Sequence, residues 1–135
     1  IIASHSSSKA LCDHDRNLTD EQLRALAKNG GVVQLCLLDA YINKKPKAAS
    51  ICDAVKHLDH MIKVAGIDHV GIGTDFDGGG GLQGCNGDND LINLTIKMIE
   101  KGYTEEDLRK IWGGNLLRVM KQVQEAPLLS SKKRR

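Results

Sequence analysis

Hydrophobic positions form two kinds of pattern along this chain. The first, a short run of consecutive apolar residues, predicts β-strands. Val32 to Leu38 is a near-continuous apolar run of strand length, as expected for a strand that is buried on both faces. Val70 to Gly73 is a second, shorter run, and Ile1 to Ala3 has the composition expected at the end of a third. Helical patterns separate these runs, and strands that alternate with helices favour parallel βαβ units.

The second pattern is the helical period of apolar residues, and polar capping residues mark where the helices begin. Thr19 with Gln22 forms a capping box, which is typical of a helix start. Ser50 caps another helix, and Gly66 ends it. Helices are predicted over four stretches: 19–29, 50–65, 91–101 and 104–119.

The order of these elements predicts an α/β fold. Two complete strands do not form a stable parallel sheet alone, and a (β/α)8 barrel needs eight strands and ~250 residues. The chain has 135 residues. We therefore predict the carboxyl-terminal portion of a (β/α)8 TIM-type barrel. Residues 1–125 belong to the barrel in this interpretation, and 126–135 form a polar, basic tail.

Composition narrows the classes of function. Aromatic residues make up only 3% of the chain, which argues against stacking surfaces for nucleic acid. The net charge is +2, and residues 132–135 carry four positive charges, a run typical of a solvated terminus. This segment contains no signal peptide, no apolar run of membrane-span length and no lipid-anchor signal, so the compartment stays unknown.

The segment HVGIGTDFDGGG, residues 69–80, carries the strongest chemical signal. A buried strand ends there in two carboxylates, Asp75 and Asp77, and a glycine run follows. Barrel and open-sheet enzymes place their chemistry at the carboxyl ends of parallel strands. A carboxylate at this position can bind a metal or move a proton, and the glycines let the backbone approach a ligand.

Three further groups carry alternatives that spacing alone leaves open. His5 is either a metal ligand at a strand end or a hydrogen-bonded loop histidine. Arg16 either clamps a substrate carboxylate or forms a surface ion pair with a neighbouring aspartate. His57 and His60 share one helical face, which suits a metal site but is more typical of a surface helix.

Several short motifs, taken in order, resemble the renal (membrane) dipeptidase family of zinc peptidases, with wording closer to its bacterial members. Several motifs in order are more specific than any one of them, and these cover nearly the whole chain. They are SHSS at 4–7, RN at 16–17, HLDH with VAG at 57–66, VGIGTDFDG at 70–78 and GGNLLRVM at 113–120.

The resemblance implies that the barrel is of the metal-dependent hydrolase type, and it implies a site as well as this fold. It implies two zinc ions at the carboxyl face of a barrel, with His5 as a zinc ligand. Asp75 would lie in the metal site and handle a proton. Arg16 would bind the terminal carboxylate of the substrate, and Tyr41 and Gly78 would border the substrate pocket.

The implied activity is zinc-dependent hydrolysis of dipeptides. The other metal ligands of the family lie in segments with no counterpart here. The amino-terminal part of the barrel is therefore an expected partner, and we expect the chain alone to be inactive. A homodimer is an expectation from the family only. Two alternatives stay open: a barrel homologue that binds without turnover, and a metal-dependent amidohydrolase acting on a non-peptide amide.

Overall fold

The computed structural model describes residues 1–126, in which helices surround a sheet of three parallel strands. The strands are β1 (Ile2–Ala3), β2 (Val32–Leu35) and β3 (Val70–Ile72). The helices are α1 (Asp20–Lys28), α2 (Asp39–Ile42), α3 (Ile51–Ala65), α4 (Leu91–Glu100), α5 (Glu105–Arg109) and α6 (Asn115–Glu125). Within 1–126, none is long and apolar enough to span a membrane. The predicted basic tail lies, from residue 127 onward, outside the described residues.

β2 lies at the centre of the sheet and sets its register. Val33 pairs with Ala3 on one side and with Val70 on the other. Beyond the strands the pairing continues for a few residues, since the Leu37 N–H donates to the Thr74 carbonyl at 2.9 Å. All three strands run in the same direction, so their carboxyl ends meet at one edge of the sheet.

The core fills the space between this sheet and the helices. Val32, Val33 and Leu35 of β2 are fully buried, which explains the unbroken apolar run in the sequence. Leu23 of α1 and Leu58 of α3 are fully buried against the same core. Each side chain of this size contributes about 1.5–3 kcal/mol when it leaves water, so the helices are held mainly by these faces.

The predicted helix boundaries are confirmed where capping residues mark them. Thr19 and Gln22 make both hydrogen bonds of the capping box at the start of α1. α3 begins directly after Ser50 and ends at Gly66. The φ of Gly66 is 93°, a left-handed value that glycine adopts without the strain of a side chain.

The structure differs from the prediction in three main places. The helix predicted over 104–119 is two helices, α5 and α6, because the widened turn Lys110–Gly114 with its glycine pair interrupts it. The strand predicted through Leu38 ends at Leu35, where its partner strand β3 also ends. The prediction missed α2, which has only four residues and so shows no helical period.

Candidate active site at the carboxyl end of the sheet

The carboxyl edge of the sheet is where the residues with predicted chemistry lie. His5 follows the end of β1 by two residues, and Asp75 follows the end of β3 by three. Arg16 comes from the loop before α1, and Tyr41 comes from α2, directly beyond β2. The fold thus brings segments that are far apart in sequence to one edge.

His5 and Arg16 are in direct contact. The Arg16 Nη2 lies 3.0 Å from the His5 Nε2, and the Ser4 Oγ lies 2.8 Å from the His5 Nδ1. A guanidinium only donates, so Nε2 accepts, and the proton of this neutral ring is on Nδ1 and is donated to Ser4. The Nε2 lone pair of His5 is therefore occupied by Arg16.

The ion-pair alternative for Arg16 is not the arrangement in the structure. Lys9 lies 3.5 Å from the Asp13 carboxylate and 3.7 Å from that of Asp15, and Arg16 turns to the histidine instead. The Arg16 side chain is exposed, which leaves its other donors accessible to a ligand. A planar guanidinium in such a position can bind a carboxylate through two parallel hydrogen bonds.

Asp75 has a strained backbone at the end of β3. Its φ and ψ are 67° and 33°, in the left-handed region, and Thr74 before it has a φ of 20°. The Asp75 carbonyl accepts hydrogen bonds from the N–H groups of Gly78 at 3.0 Å and Gly80 at 2.7 Å. A left-handed non-glycine residue costs roughly 1–3 kcal/mol and persists where its surroundings determine it, which is common at functional sites.

The Asp75 carboxylate lies over Gly78. A Cβ at position 78 would collide with Asp75 Oδ1, so only glycine leaves room for the carboxylate there. Cys36, at the end of β2, is fully buried, with its Sγ 3.9 Å from Asp75 Oδ2. Burial raises the pKa of the Cys36 thiol to about 11, so it lies beside the carboxylate as a neutral group.

Tyr41 is buried beside this edge rather than open to solvent. Its side chain is 7% exposed, and its ring centroid lies 4.3 Å from that of His14. The two rings are tilted by 38°. His14 in turn accepts a hydrogen bond at Nδ1 from the Arg16 N–H at 3.1 Å. The tyrosine therefore packs against the same loop that positions Arg16.

His57 and His60 do not form a metal pair. The His60 Nε2 lies 2.8 Å from an Asp20 carboxylate oxygen, which links α3 to α1. His57 is 2% exposed, so the expectation of a surface helix is wrong for it. Little in the sequence indicates that His57 is buried, because its neighbours are the polar Lys56 and Leu58, an ordinary core residue.

The donor set at this edge is incomplete as a metal site. Among residues 1–126, no three histidine, cysteine, aspartate or glutamate side chains form a group that could hold a metal ion. Imidazole and carboxylate are nonetheless the donors that zinc accepts. His5 and Asp75 thus fit part of a zinc site, and the space over Gly78 keeps the Asp75 carboxylate free of a side-chain clash.

Comparison with known proteins gives the chain its relatives. The model of the membrane dipeptidase family, peptidase family M19, matches residues 1–134. An uncharacterized dipeptidase of Schizosaccharomyces pombe is 42% identical over 98% of this chain and 33% of its own length. The curated relatives are thus about three times as long as the part that the chain spans.

Solved structures have the same fold. A metallopeptidase of Rhodobacter sphaeroides, liganded with a phosphinate mimic of the dipeptide L-Ala-D-Ala, is 32% identical, with a TM-score of 0.84 over 89% of this chain and 35% of its own. An amidohydrolase of Pseudomonas aeruginosa is 27% identical, also with a TM-score of 0.84, over 91% of this chain and 45% of its own. The predicted α/β class, as part of a TIM-type barrel of the metal-dependent hydrolase type, is confirmed.

Proposed function

The chain belongs to the membrane dipeptidase family, peptidase family M19, and from that premise we propose that it forms part of the active site of a zinc-dependent dipeptidase. The contact of 3.0 Å between His5 and Arg16 is the observation that supports this most directly. The contact joins a guanidinium, a group suited to binding a carboxylate, to an imidazole, a group suited to binding a metal. A substrate whose free carboxylate binds one and whose scissile bond lies at the other must be short.

His5 and Asp75 are the residues of this chain that we assign to the metals. Each catalytic zinc takes about three protein ligands, so the remaining ligands come from the rest of the barrel in this proposal. Bound zinc would supply Lewis acidity, which lowers the pKa of a water molecule and polarises the scissile carbonyl; with a pair of ions, the two tasks can be divided between them. The His5 lone pair serves either Arg16 or a metal, so metal binding requires the guanidinium to give up this bond.

Arg16 binds and orients the substrate in this mechanism. Once released from His5, its guanidinium binds the free carboxylate of the dipeptide through two hydrogen bonds. In this proposal the carboxylate enters beside the loop of Arg16, against which the ring of Tyr41 packs through its contact with His14. Fixing one end of the substrate places the scissile bond at a set distance from His5, which replaces a random encounter with a single orientation.

Asp75 moves the proton. Its carboxylate accepts a proton during attack and delivers it to the departing amine, the role of a general base that becomes a general acid. Asp75 has a left-handed backbone, and the absence of a side chain at Gly78 leaves room for its carboxylate. Cys36 stays a neutral thiol beside it and does not compete for the proton.

A second candidate is hydrolysis of a non-peptide amide. The similarity to an amidohydrolase of Pseudomonas aeruginosa favours it, since the same fold and metal chemistry serve many amides. The two candidates differ in Arg16, because only a substrate with a free carboxylate uses the clamp.

A substrate panel on the complete barrel tests the proposal. The panel contains one dipeptide, the same dipeptide with its carboxyl terminus amidated, and a non-peptide amide. We expect the free dipeptide to be cleaved in preference to its amide, activity to be lost with a chelator, and zinc to restore it. Cleavage of only the non-peptide amide supports the second candidate. Stoichiometric zinc without cleavage of any substrate contradicts the proposal and supports a binding protein.

A further inference from the structure

Asn17 is a buried hydrogen-bonding centre next to Arg16. Its side chain is 3% exposed. Its Oδ1 accepts from the Ser7 N–H at 3.0 Å, and its Nδ2 donates to the carbonyls of Cys12 at 2.9 Å and Tyr41 at 2.8 Å. Both donors of the amide and one acceptor site are therefore used, each on backbone groups.

His57 makes a second bridge between the same two segments. Its Nδ1 accepts from the Ser8 N–H at 3.0 Å, so its proton is on Nε2, which donates to the Ile42 carbonyl at 3.0 Å. Burial, the largest effect, lowers the pKa of His57 to about 4, so the ring is neutral near pH 7. Asn17 thus joins residue 7 to residue 41, and His57 joins residue 8 to residue 42.

The two bridges run side by side and join the segment after His5 to the segment that contains Tyr41. The segment they hold at one end begins two residues after His5, and the segment at the other end contains Tyr41. We propose that Asn17 and His57 are positioning residues: through consecutive backbone groups they fix His5 relative to Arg16 and Tyr41. This inference rests on the proposed function, because it assigns the bridges a role in metal and carboxylate binding.

Residues that hold a metal ligand in place through hydrogen bonds have measurable effects on metal binding. Loss of a residue that orients a metal ligand typically weakens metal affinity or activity roughly 10–100-fold. A bridge that served only the core would instead change stability and the amount of folded protein. The zinc affinity of the folded protein therefore separates a positioning role from a packing role.

The two ring nitrogens of His57 can be replaced separately. An asparagine amide reaches about as far as Nδ1, so His57→Asn retains an acceptor for the Ser8 N–H and loses the bond to Ile42. A glutamine amide reaches as far as Nε2, so His57→Gln retains the bond to Ile42 and loses the acceptor for Ser8. His60→Gln is the matched control, because it makes the same substitution on the same helix away from this edge, and its amide can retain the bond to Asp20.

Zinc affinity of the complete barrel, measured by competition with a chromogenic chelator, is the first readout. We expect roughly 10-fold weaker binding in His57→Gln and in Asn17→Ala. His57→Asn should weaken zinc binding as well, because it loses the Ile42 end of the bridge, and His60→Gln should stay close to the wild type. The second readout is the preference for the free dipeptide over its amide, which should fall in Asn17→Ala, because Arg16 loses its fixed neighbour.

The outcomes distinguish this inference from the proposed function. Wild-type zinc affinity in both Asn17→Ala and His57→Gln, with an unchanged substrate preference, overturns the positioning role and leaves the dipeptidase proposal intact. Zinc binding by the wild type without dipeptide cleavage overturns the proposed function, and the loss of zinc affinity in the variants still supports the bridges. Equal weakening in His60→Gln overturns the inference as well, since it indicates a general loss of stability.

Discussion

The carboxyl edge of the sheet and the layer of helices around it are held in place by different kinds of bonds. In the helical layer, Thr19, Ser50 and Thr104 each close a capping box with the residue three positions later. At the edge, the bonds that Asn17 and His57 accept span 10 and 49 residues of sequence. Local sequence therefore determines the helices, whereas long-range bonds determine the site.

The backbone shows the same difference. In the helical layer, left-handed φ values fall on glycines at helix ends, such as 93° at Gly66 and 94° at Gly102. Among the described residues, Thr74 and Asp75 are the non-glycine positions with positive φ, and both lie at the edge. The helices avoid backbone strain, whereas the edge retains it at the carboxylate to which we assign proton transfer.

The largest expected effect is at Asp75. Asp75→Asn should lower kcat about 10²–10⁴-fold, because an amide does not move the proton. Its melting temperature should stay near the wild type, since asparagine tolerates the left-handed region. Steady-state kinetics and thermal unfolding of the complete barrel check both parts. Asp77→Asn, two residues on and exposed, is the control, and equal loss in both variants would contradict the role of Asp75.

The pH dependence of stability tests whether the buried His57 contributes to folding at this edge. The unfolded chain takes up a proton near pH 6.5, whereas the folded state does so only at about 4, because His57 is buried. As pH falls through this window, the unfolded state binds more protons and the folded state loses about 3 kcal/mol of stability. Denaturant unfolding of metal-free protein should show this loss relative to His57→Gln. Parallel pH curves for the two proteins would show that His57 is not the source.

Substitution of Arg16 tests whether the carboxyl edge binds the free carboxylate of the substrate. Arg16→Ala should lower kcat/KM for the free dipeptide about 10–100-fold, mainly by raising KM, because a charged hydrogen-bond pair is lost. The amidated dipeptide should change little. Arg24→Ala, on the exposed face of α1, is the control. A similar fall for both substrates would mean that Arg16 does not bind the carboxylate.

The smallest expected effect is in the helical layer. Thr104→Ala removes the cap of α5 and should cost about 1 kcal/mol of the free energy of unfolding, with unchanged kinetics. Thr95→Ala, in the interior of α4, is the same substitution without a cap and should cost less. Chemical denaturation and kinetics on the two variants provide the check. A change in kcat for Thr104→Ala would contradict the claim that the helical layer contributes to stability without affecting the site.

What the sequence predicts well is local. The capping box of Thr19 and the stop at Gly66 use contacts within a few residues, so both could be recognised from the sequence alone. The interruption at Lys110–Gly114 was missed, although its glycine pair was visible, because the apolar period continues through it. Four-residue α2 is too short for a period to show.

What the sequence predicts poorly depends on partners far along the chain. His57 was taken for a surface residue, because nothing near it in sequence indicates that Ser8 and Ile42 would bond to its ring. The roles of His5 and Arg16 came from resemblance to a family, since their spacing alone favoured ordinary loop residues. The contact between them arises only when β1 and the loop before α1 fold together.

Native mass spectrometry of the complete barrel, wild type beside His5→Gln, tests the central claim most directly. The claim is that the carboxyl edge of this sheet contributes a ligand to a pair of zinc ions. We expect the wild type to carry two zinc equivalents and His5→Gln to carry fewer at the same free zinc. Equal zinc content in the two proteins would contradict the assignment of His5 and, with it, the metal site at this edge.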